Sequence, residues 1–204
     1  MKKKGKIVII SSPSGGGKSS ICRKLLSRNN KNDWKFSISV TTRPKRANEK
    51  NGREYWFVTY PAFVALKNRK EFAESCQVHR FYYGTPRKPL DDILVRGGVI
   101  LLDVDVKGAF KLKEKYPMAA MIFILPPNRK ELVRRLKQRG TEDDKHLRIR
   151  RRRALSEMKL FKEFEYVIVN ENLDTAVNEV EMIVKSLHCR LDNLKQEQIK
   201  RIVG

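Results

Sequence analysis

The chain has 204 residues, 45 of them Lys or Arg against 23 Asp or Glu, a formal charge of +22, and 40% are apolar. That length and apolar share suffice for one compact domain with a buried core and exclude a disordered polyelectrolyte. The charge favours polyanionic partners, either nucleic acid or nucleotide phosphates, without choosing between them.

At the start of the chain, Lys2–Lys4 imitate the charged region of an export signal. Only Ile7–Ile10 and polar Ser11–Ser14 follow, short of the roughly 7–15 apolar residues such a signal needs. No run of about 18 apolar residues exists to span a bilayer. The expectation is therefore a cytoplasmic protein without a membrane partner. Ile7–Ile10 is itself a β-branched run, the pattern of a strand buried in a parallel sheet. Ser11–Gly17 breaks it with Ser, Pro and glycines, and Ser19–Arg28 carries Ile21, Leu25 and Leu26 at helical spacing. Strand, glycine loop and helix form half of a β-α-β unit.

Residues 37 to about 89 depart from that rhythm. Short alternating runs such as Tyr55–Val58, with Arg-Pro and Asn-Gly turn signals at 43–44 and 51–52, predict a small strand-rich insert. Buried strands then recur at Val99–Leu102, leaving into Asp103 and Asp105, at Met121–Leu125, stopped by Pro126 and Pro127, and at Tyr166–Val169, ending at Asn170. Residues 128–157 read as helical and very basic, with 12 Lys/Arg against 4 Asp/Glu between 128 and 153. The last segment, Asp174–Ile202, keeps Val177, Val180, Ile183, Val184, Leu187, Leu191 and Leu194 at helical spacing and predicts one long amphipathic helix. Strands alternating with helices predict an α/β doubly wound parallel sheet. Cys22, Cys76 and Cys189 are far apart, as are His79, His146 and His188. Reduced, mostly buried thiols are expected, not disulfides or a zinc cage.

The first functional signal is Ser12-Pro13-Ser14-Gly15-Gly16-Gly17-Lys18-Ser19. Glycines there let several backbone N–H groups turn onto one anion at a helix N-terminus whose dipole favours negative charge. Lys18 would reach the terminal phosphates and the Ser19 hydroxyl would ligate Mg²⁺. The strict pattern has glycine where this chain has Ser12. Asp103, at the carboxyl end of a buried strand, lies where open α/β sheets bind ligands and is the candidate to organise that metal.

An ordered set of motifs extends the signal. It comprises Ser-x-Pro-Ser-Gly-Gly-Gly-Lys-Ser at 11–19, Ser-Val-Thr-Thr-Arg-Pro-Lys-Arg at 39–46 with Glu49, Asn51-Gly52-x-x-Tyr55, Glu74, Tyr-Tyr-Gly-Thr at 82–85 and Leu-Asp-Val-Asp at 102–105. Phe-Ile-Leu-Pro-Pro at 123–127, Arg135-x-x-x-Arg139-Gly140, Arg150 and Ile-Val-Asn at 168–170 complete it. From about Lys6 to Leu187 the chain resembles the guanylate kinases. The resemblance implies a phosphate-loop (P-loop) core (residues 1–36, 90–127 and 158–204), a GMP-binding lobe (37–89) and a helical lid (128–157). It implies transfer of the γ-phosphoryl group of ATP to GMP, and to dGMP, giving ADP and GDP.

ATP would lie on Ser12, Pro13, Ser14, Gly15, Gly16, Gly17, Lys18, Ser19 and Ser20. GMP would lie among Ser39, Arg43, Arg46, Glu49, Tyr55, Glu74, Tyr83, Thr85, Asp103 and Asp105. Arginine forks grip phosphate oxygens bidentately, so Arg43 and Arg46 around a proline turn suit the GMP phosphate. Tyr55 and Tyr83 would complete that clamp. Glu74 would accept from guanine N1–H and the 2-amino group, with Ser39 and Thr85 finishing the base pocket. Lys18, Arg135, Arg139 and Arg150 would stabilise the moving phosphoryl group, and Ser19 with Asp103 would hold Mg²⁺, partly through water. Arg135 and Arg139, four apart, share one helix face. Where the family commonly has glutamine, this chain has Lys107, a cation expected either to pair with Asp105 or to crowd the metal.

Rival readings are a non-catalytic guanylate-kinase-like binding module, a nucleic-acid-binding protein, and a P-loop kinase for another small acceptor. A binding module is expected to lose the loop lysine or the lid arginines, which are retained. No aromatic-interleaved basic motif supports specific nucleic-acid binding, and Arg148 with Arg151–Arg153 reads as a solvated basic face. Leu191, Leu194 and Ile199 extend the apolar stripe beyond the matching span and point to a homo-oligomer formed through the C-terminal helix.

Overall fold

The computed structural model describes residues 5–29, 34–78, 80–138, 144–190 and 201. Its centre is a five-stranded sheet in the order β2-β7-β1-β8-β9, with every pairing parallel. The strands are β1 (Lys6–Ser11), β2 (Trp34–Ser37), β7 (Val99–Asp103), β8 (Ala120–Leu125) and β9 (Tyr166–Val169). β1 is covered on both faces, which is why its run is apolar throughout. Val8 and Ile10 pack with Ile21, Leu25, Val177 and Val180 from α1 (Lys18–Asn29) and α7 (Leu173–Ser186). Ile7 and Ile9 face Leu90, Ile93, Ala109 and Leu112 from α3 (Arg87–Arg96) and α4 (Val106–Lys115). A doubly wound sheet results. Sequence reading missed one of its strands, β2, because Trp34-Lys35-Phe36-Ser37 is a four-residue edge segment with no sustained alternation.

A second sheet, in the order β4-β3-β6-β5, is built from β3 (Val40–Thr41), β4 (Trp56–Phe57), β5 (Phe72–Val78) and β6 (Phe81–Pro86). It is not purely strand: α2 (Tyr60–Asn68) lies on it, started by a Thr59 side chain that accepts from Ala62 N. Phe63 of α2 stacks on Phe72 of β5, with ring centroids 4.8 Å apart. The third element is a helix pair, α5 (Arg129–Gln138) and α6 (Asp144–Met158), joined by Leu132, Leu136 and Ala154.

The single helix expected over Asp174–Ile202 is corrected. α7 ends at Ser186, a 3₁₀ turn spans Leu187–Cys189, and Arg190 is extended (φ −65°, ψ 141°). Leu187 is the anchor that ends the run, buried in the core beneath α7. Leu191, Leu194 and Ile199, the basis of the oligomer expectation, lie outside the described residues, as does Arg139. Among the described residues no helix is long and apolar enough to cross a membrane. Cys22 and Cys76 are buried and Cys189 is exposed, all three as free thiols.

Candidate active site

The loop after β1 emerges at the carboxyl end of the sheet's central strand, between β7 and β8, where parallel sheets open a ligand crevice. Gly15 and Gly17 hold φ of +89° and +97°, backbone that β-carbon-bearing residues avoid. A Cβ on Gly17 would also fall 2.2 Å from Asn170 Nδ2. Ser12 carries no such constraint, since the one non-glycine with positive φ among the described residues is Lys70. The close approach falls instead on Gly16, where a Cβ would meet the Ser12 Cβ at 2.7 Å. Serine at position 12 therefore leaves the loop's shape intact.

Asp103, at the end of β7, takes both polar side chains from the start of α1. Lys18 Nζ donates to Oδ1, and Ser19 Oγ donates to Oδ2 at 2.7 Å. Burial works against the Lys18 charge, but the Asp103 carboxylate outweighs it and holds the ammonium above its ordinary range. Ser20 is the third residue of α1, its N–H donating to Gly17 O at 3.1 Å.

Arg135 of α5 lies over the loop. Its Nη1 donates to Gly16 O at 3.4 Å and its Nη2 to Asn170 O at 3.1 Å. Glu131, one turn earlier, holds its Nε at 2.7 Å. The Arg134 and Arg135 guanidiniums together bring the Glu131 carboxyl down to about 2. Asn170, buried after β9, donates through Nδ2 to Gly16 O at 3.1 Å. From α6, Glu157 Oε2 accepts the Ser14 N–H at 3.3 Å, a bond across 143 residues of chain. Burial raises the Glu157 carboxyl. Arg150 is half-buried on the same helix, whereas Arg148 and Arg151–Arg153 are exposed, the solvated face expected of them.

In the second sheet, Arg43 Nη2 donates to Glu49 Oε1 at 2.8 Å, and the Arg46 N–H donates to Glu49 Oε2 at 2.9 Å. Glu49 thus braces the arginine loop, and both arginine contacts, set against its partial burial, keep its carboxyl below the usual range. The Arg46 side chain is exposed. The Arg43 guanidinium lies 5.5 Å from the Tyr55 ring centroid, and Tyr55 meets Tyr83 edge-on at 5.8 Å. Burial, with the neighbouring Asp103 charge, pushes the Tyr55 hydroxyl up to about 12. Asp103 is therefore a charged neighbour of Tyr55 as well as the partner of Lys18 and Ser19. Ser39 is buried just before β3, and its carbonyl accepts from Trp56 N at 2.9 Å.

Glu74 is positioned by a β-bulge. β5 and β6 pair antiparallel, but the register slips between Phe72 (opposite Pro86) and Glu74 (opposite Thr85), leaving Ala73 extra. In a regular strand Phe72 and Glu74 would share a face. The extra residue sends Phe72 to the apolar side against Phe63 and turns Glu74 to the side of Thr85, Cys76 and Tyr83. Glu74 is 8% exposed. Thr85 Oγ1 donates to its Oε1 at 2.8 Å, whereas its Oε2 is buried without a hydrogen-bond partner. Desolvation, opposed by the Thr85 bond and reinforced by Asp105, lifts the carboxyl to about 7.

Asp105 caps α4 through the Gly108 N–H at 2.9 Å and receives Cys76 Sγ at 3.5 Å. Lys107 neither pairs with Asp105 nor crowds Asp103: it points outward from α4 and is exposed. Three contributors escaped the sequence reading as site residues. Asn170 was visible as the polar end of an apolar strand, and Glu131 as the i−4 partner of Arg135. Glu157 had no local signal, because its partner lies at the other end of the chain.

The guanylate kinase family model matches residues 4–187. The chain is 38% identical to the guanylate kinase of Caldanaerobacter subterraneus subsp. tengcongensis, covering 98% of this chain and 96% of that protein. It is 42% identical to that of Nitrosomonas europaea, over 93% and 92%. The crystal structure of guanylate kinase from Anaplasma phagocytophilum superimposes with a TM-score of 0.80 at 32% identity, covering 95% of this chain and 91% of that one. With a family model over residues 4–187 and these relatives along nearly its whole length, the chain belongs to the guanylate kinase family.

Proposed function

We propose that the chain transfers the γ-phosphoryl group of ATP to GMP, and to dGMP, releasing ADP and GDP in the cytoplasm. The observation that carries the acceptor assignment is the Glu74 carboxylate, one oxygen tied to Thr85 and the other buried and unpartnered. An ionised carboxylate accepts only, so one glutamate takes both guanine donors, N1–H and the 2-amino group. Adenine presents an acceptor there and leaves the carboxylate desolvated and unpaired, a mismatch that sites of this kind reject by about 10⁴–10⁵.

The second sheet serves as the GMP lobe and α5–α6 as the lid. Arg43 and Arg46, on the loop braced by Glu49, grip the GMP phosphate, with Tyr55 and Tyr83 beside it. Loop N–H groups from Ser14 to Ser19 and the dipole of α1 take the ATP phosphates. Ser19 and Asp103 set a hydroxyl and a carboxylate side by side, hard oxygen donors that fit Mg²⁺. When bound there, the cation supplies positive charge to the phosphate oxygens.

Lys18 exchanges Asp103 for phosphate, and Arg135, Arg139 and Arg150 add charge around the group in flight. No general base is required, because the acceptor oxygen is already anionic. The test is ADP release with AMP, GMP, dGMP, CMP and UMP in parallel. Strong preference for GMP and dGMP is expected, and equal rates across the panel would overturn the assignment.

A further inference from the structure

β5 forms the outer edge of the second sheet, so the carbonyls on its far side have no strand partner. Two of them, Ala73 O and Ser75 O, flank Glu74. Each is met by a lysine from α4: Lys115 Nζ donates to Ala73 O at 3.2 Å, and Lys111 Nζ donates to Ser75 O at 2.7 Å. The spacings match, since lysines four apart share one helix face and carbonyls two apart share one strand edge. Ala73 is also the bulge residue, the point where the β5–β6 ladder is interrupted.

Arg87, the first residue of α3, reaches the same strand, its Nη2 donating to Phe72 O at 3.4 Å. The segment bearing the unpartnered carboxylate is therefore held from the core side by cations on backbone oxygens, and no side chain of that segment supplies the specificity of the hold. Both lysines are exposed residues, so neither is part of the apolar core.

We infer that Lys111 and Lys115 are positioning residues for the acceptor-base pocket, pinning the bulged backbone around Glu74 to α4 and so fixing where its carboxylate meets the guanine edge. The inference rests on the assignment of Glu74 as the guanine reader. It makes α4 a shared part of the enzyme: its first turn is capped by Asp105 at the site, and its later turns grip the lobe strand. Lys111 also brings positive charge toward the Glu74 carboxylate, in opposition to Asp105.

The test uses the full chain with K111M, K115M, the double variant, and K111R and K115R as charge-retaining controls. Steady-state constants are measured for GMP and for ATP separately, and for AMP as the discriminated acceptor. KM for GMP is expected to rise on the order of fivefold in each methionine variant and further in the double, one solvent-discounted charged hydrogen bond at a time. KM for ATP should stay within about twofold, and the arginine variants should recover most of the GMP loss.

An unchanged KM for GMP in the double variant would overturn the inference. So would a parallel rise in both KM values, which marks general loosening. Lys111 is exposed, so K111M carries the test alone if K115M fails to fold. Absence of GMP preference in the wild type would instead overturn the Glu74 assignment, a result visible before any lysine variant is made.

Discussion

The phosphate loop and the base pocket treat their polar groups in opposite ways. At the loop, the groups proposed to meet phosphate already have protein partners: Lys18 and Ser19 on Asp103, Arg135 on Gly16 O and Asn170 O, and the Ser14 N–H on Glu157. In the base pocket Glu74 Oε2 is buried with none. The first region stays satisfied without ligand and must exchange partners to bind. The second carries a desolvated oxygen that is relieved by a proton or by a donor from outside. Exchange at the loop suits a donor nucleotide shared by many kinases, and the unmet acceptor suits a pocket that must choose its base.

The sharpest way to break this comparison is at Lys18. Lys18→Ala removes a charge from the phosphoryl group and leaves Asp103 with Ser19 alone. kcat should fall by at least about 10²-fold, the scale of a lost transition-state charge. GMP binding, read by calorimetry, should persist, because the lysine does not reach the base pocket. A variant with normal circular dichroism and near-wild-type turnover would remove Lys18 from the mechanism.

Glu74→Gln probes the other region. Its amide places a donor against a guanine donor, so the ratio of kcat/KM for GMP over AMP should shrink by at least about tenfold. AMP turnover, already small, should change far less. An unchanged ratio would leave the guanine assignment resting on Ser39 and Thr85 alone.

The pH dependence of the same ratio is a gentler test. With Glu74 lifted to about 7, the empty pocket holds a substantial neutral fraction at neutral pH. The neutral acid loses one acceptor and gains a donor that adenine can use. The GMP/AMP ratio should therefore rise with pH through the region of 7 and level off above it, by about tenfold between pH 6 and 8. Taking the ratio cancels titration of the acceptor phosphates. A flat ratio across that range would place the Glu74 titration elsewhere.

The smallest effect belongs to Glu157. Its carboxylate occupies a loop N–H that an ATP phosphate needs, so Glu157→Gln removes a competing negative charge. KM for ATP should fall by roughly threefold, with KM for GMP unchanged. A rise in KM for ATP would show that Glu157 supports the loop instead of competing for it.

Much of the core was legible before any coordinates. Ile7–Ile10 and Val99–Leu102 are apolar runs bounded by glycine or a polar stop, and burial on both faces demands such runs. Tyr166–Val169 was legible as a strand but not as a buried one, because at the sheet edge it buries Ile168 and leaves Val167 41% and Val169 47% exposed. The Gly-Lys-Ser turn and the Asp at the end of β7 were equally plain, because their chemistry is local to a few residues.

What escaped depends on partners distant in sequence. β2 is an edge strand too short for a pattern, and α7 ends where Leu187 meets the core, although the apolar period continues past it. The phosphate-loop motif of residues 12–19 by itself pointed to nucleotide phosphates as the ligand. The bulge at Ala73, the orphaned oxygen of Glu74, the grip of Lys111 and Lys115, and the reach of Glu157 to Ser14 were decided only by tertiary structure. A short-range motif states its own geometry, whereas a side chain's aim and solvation follow from what the rest of the chain packs around it.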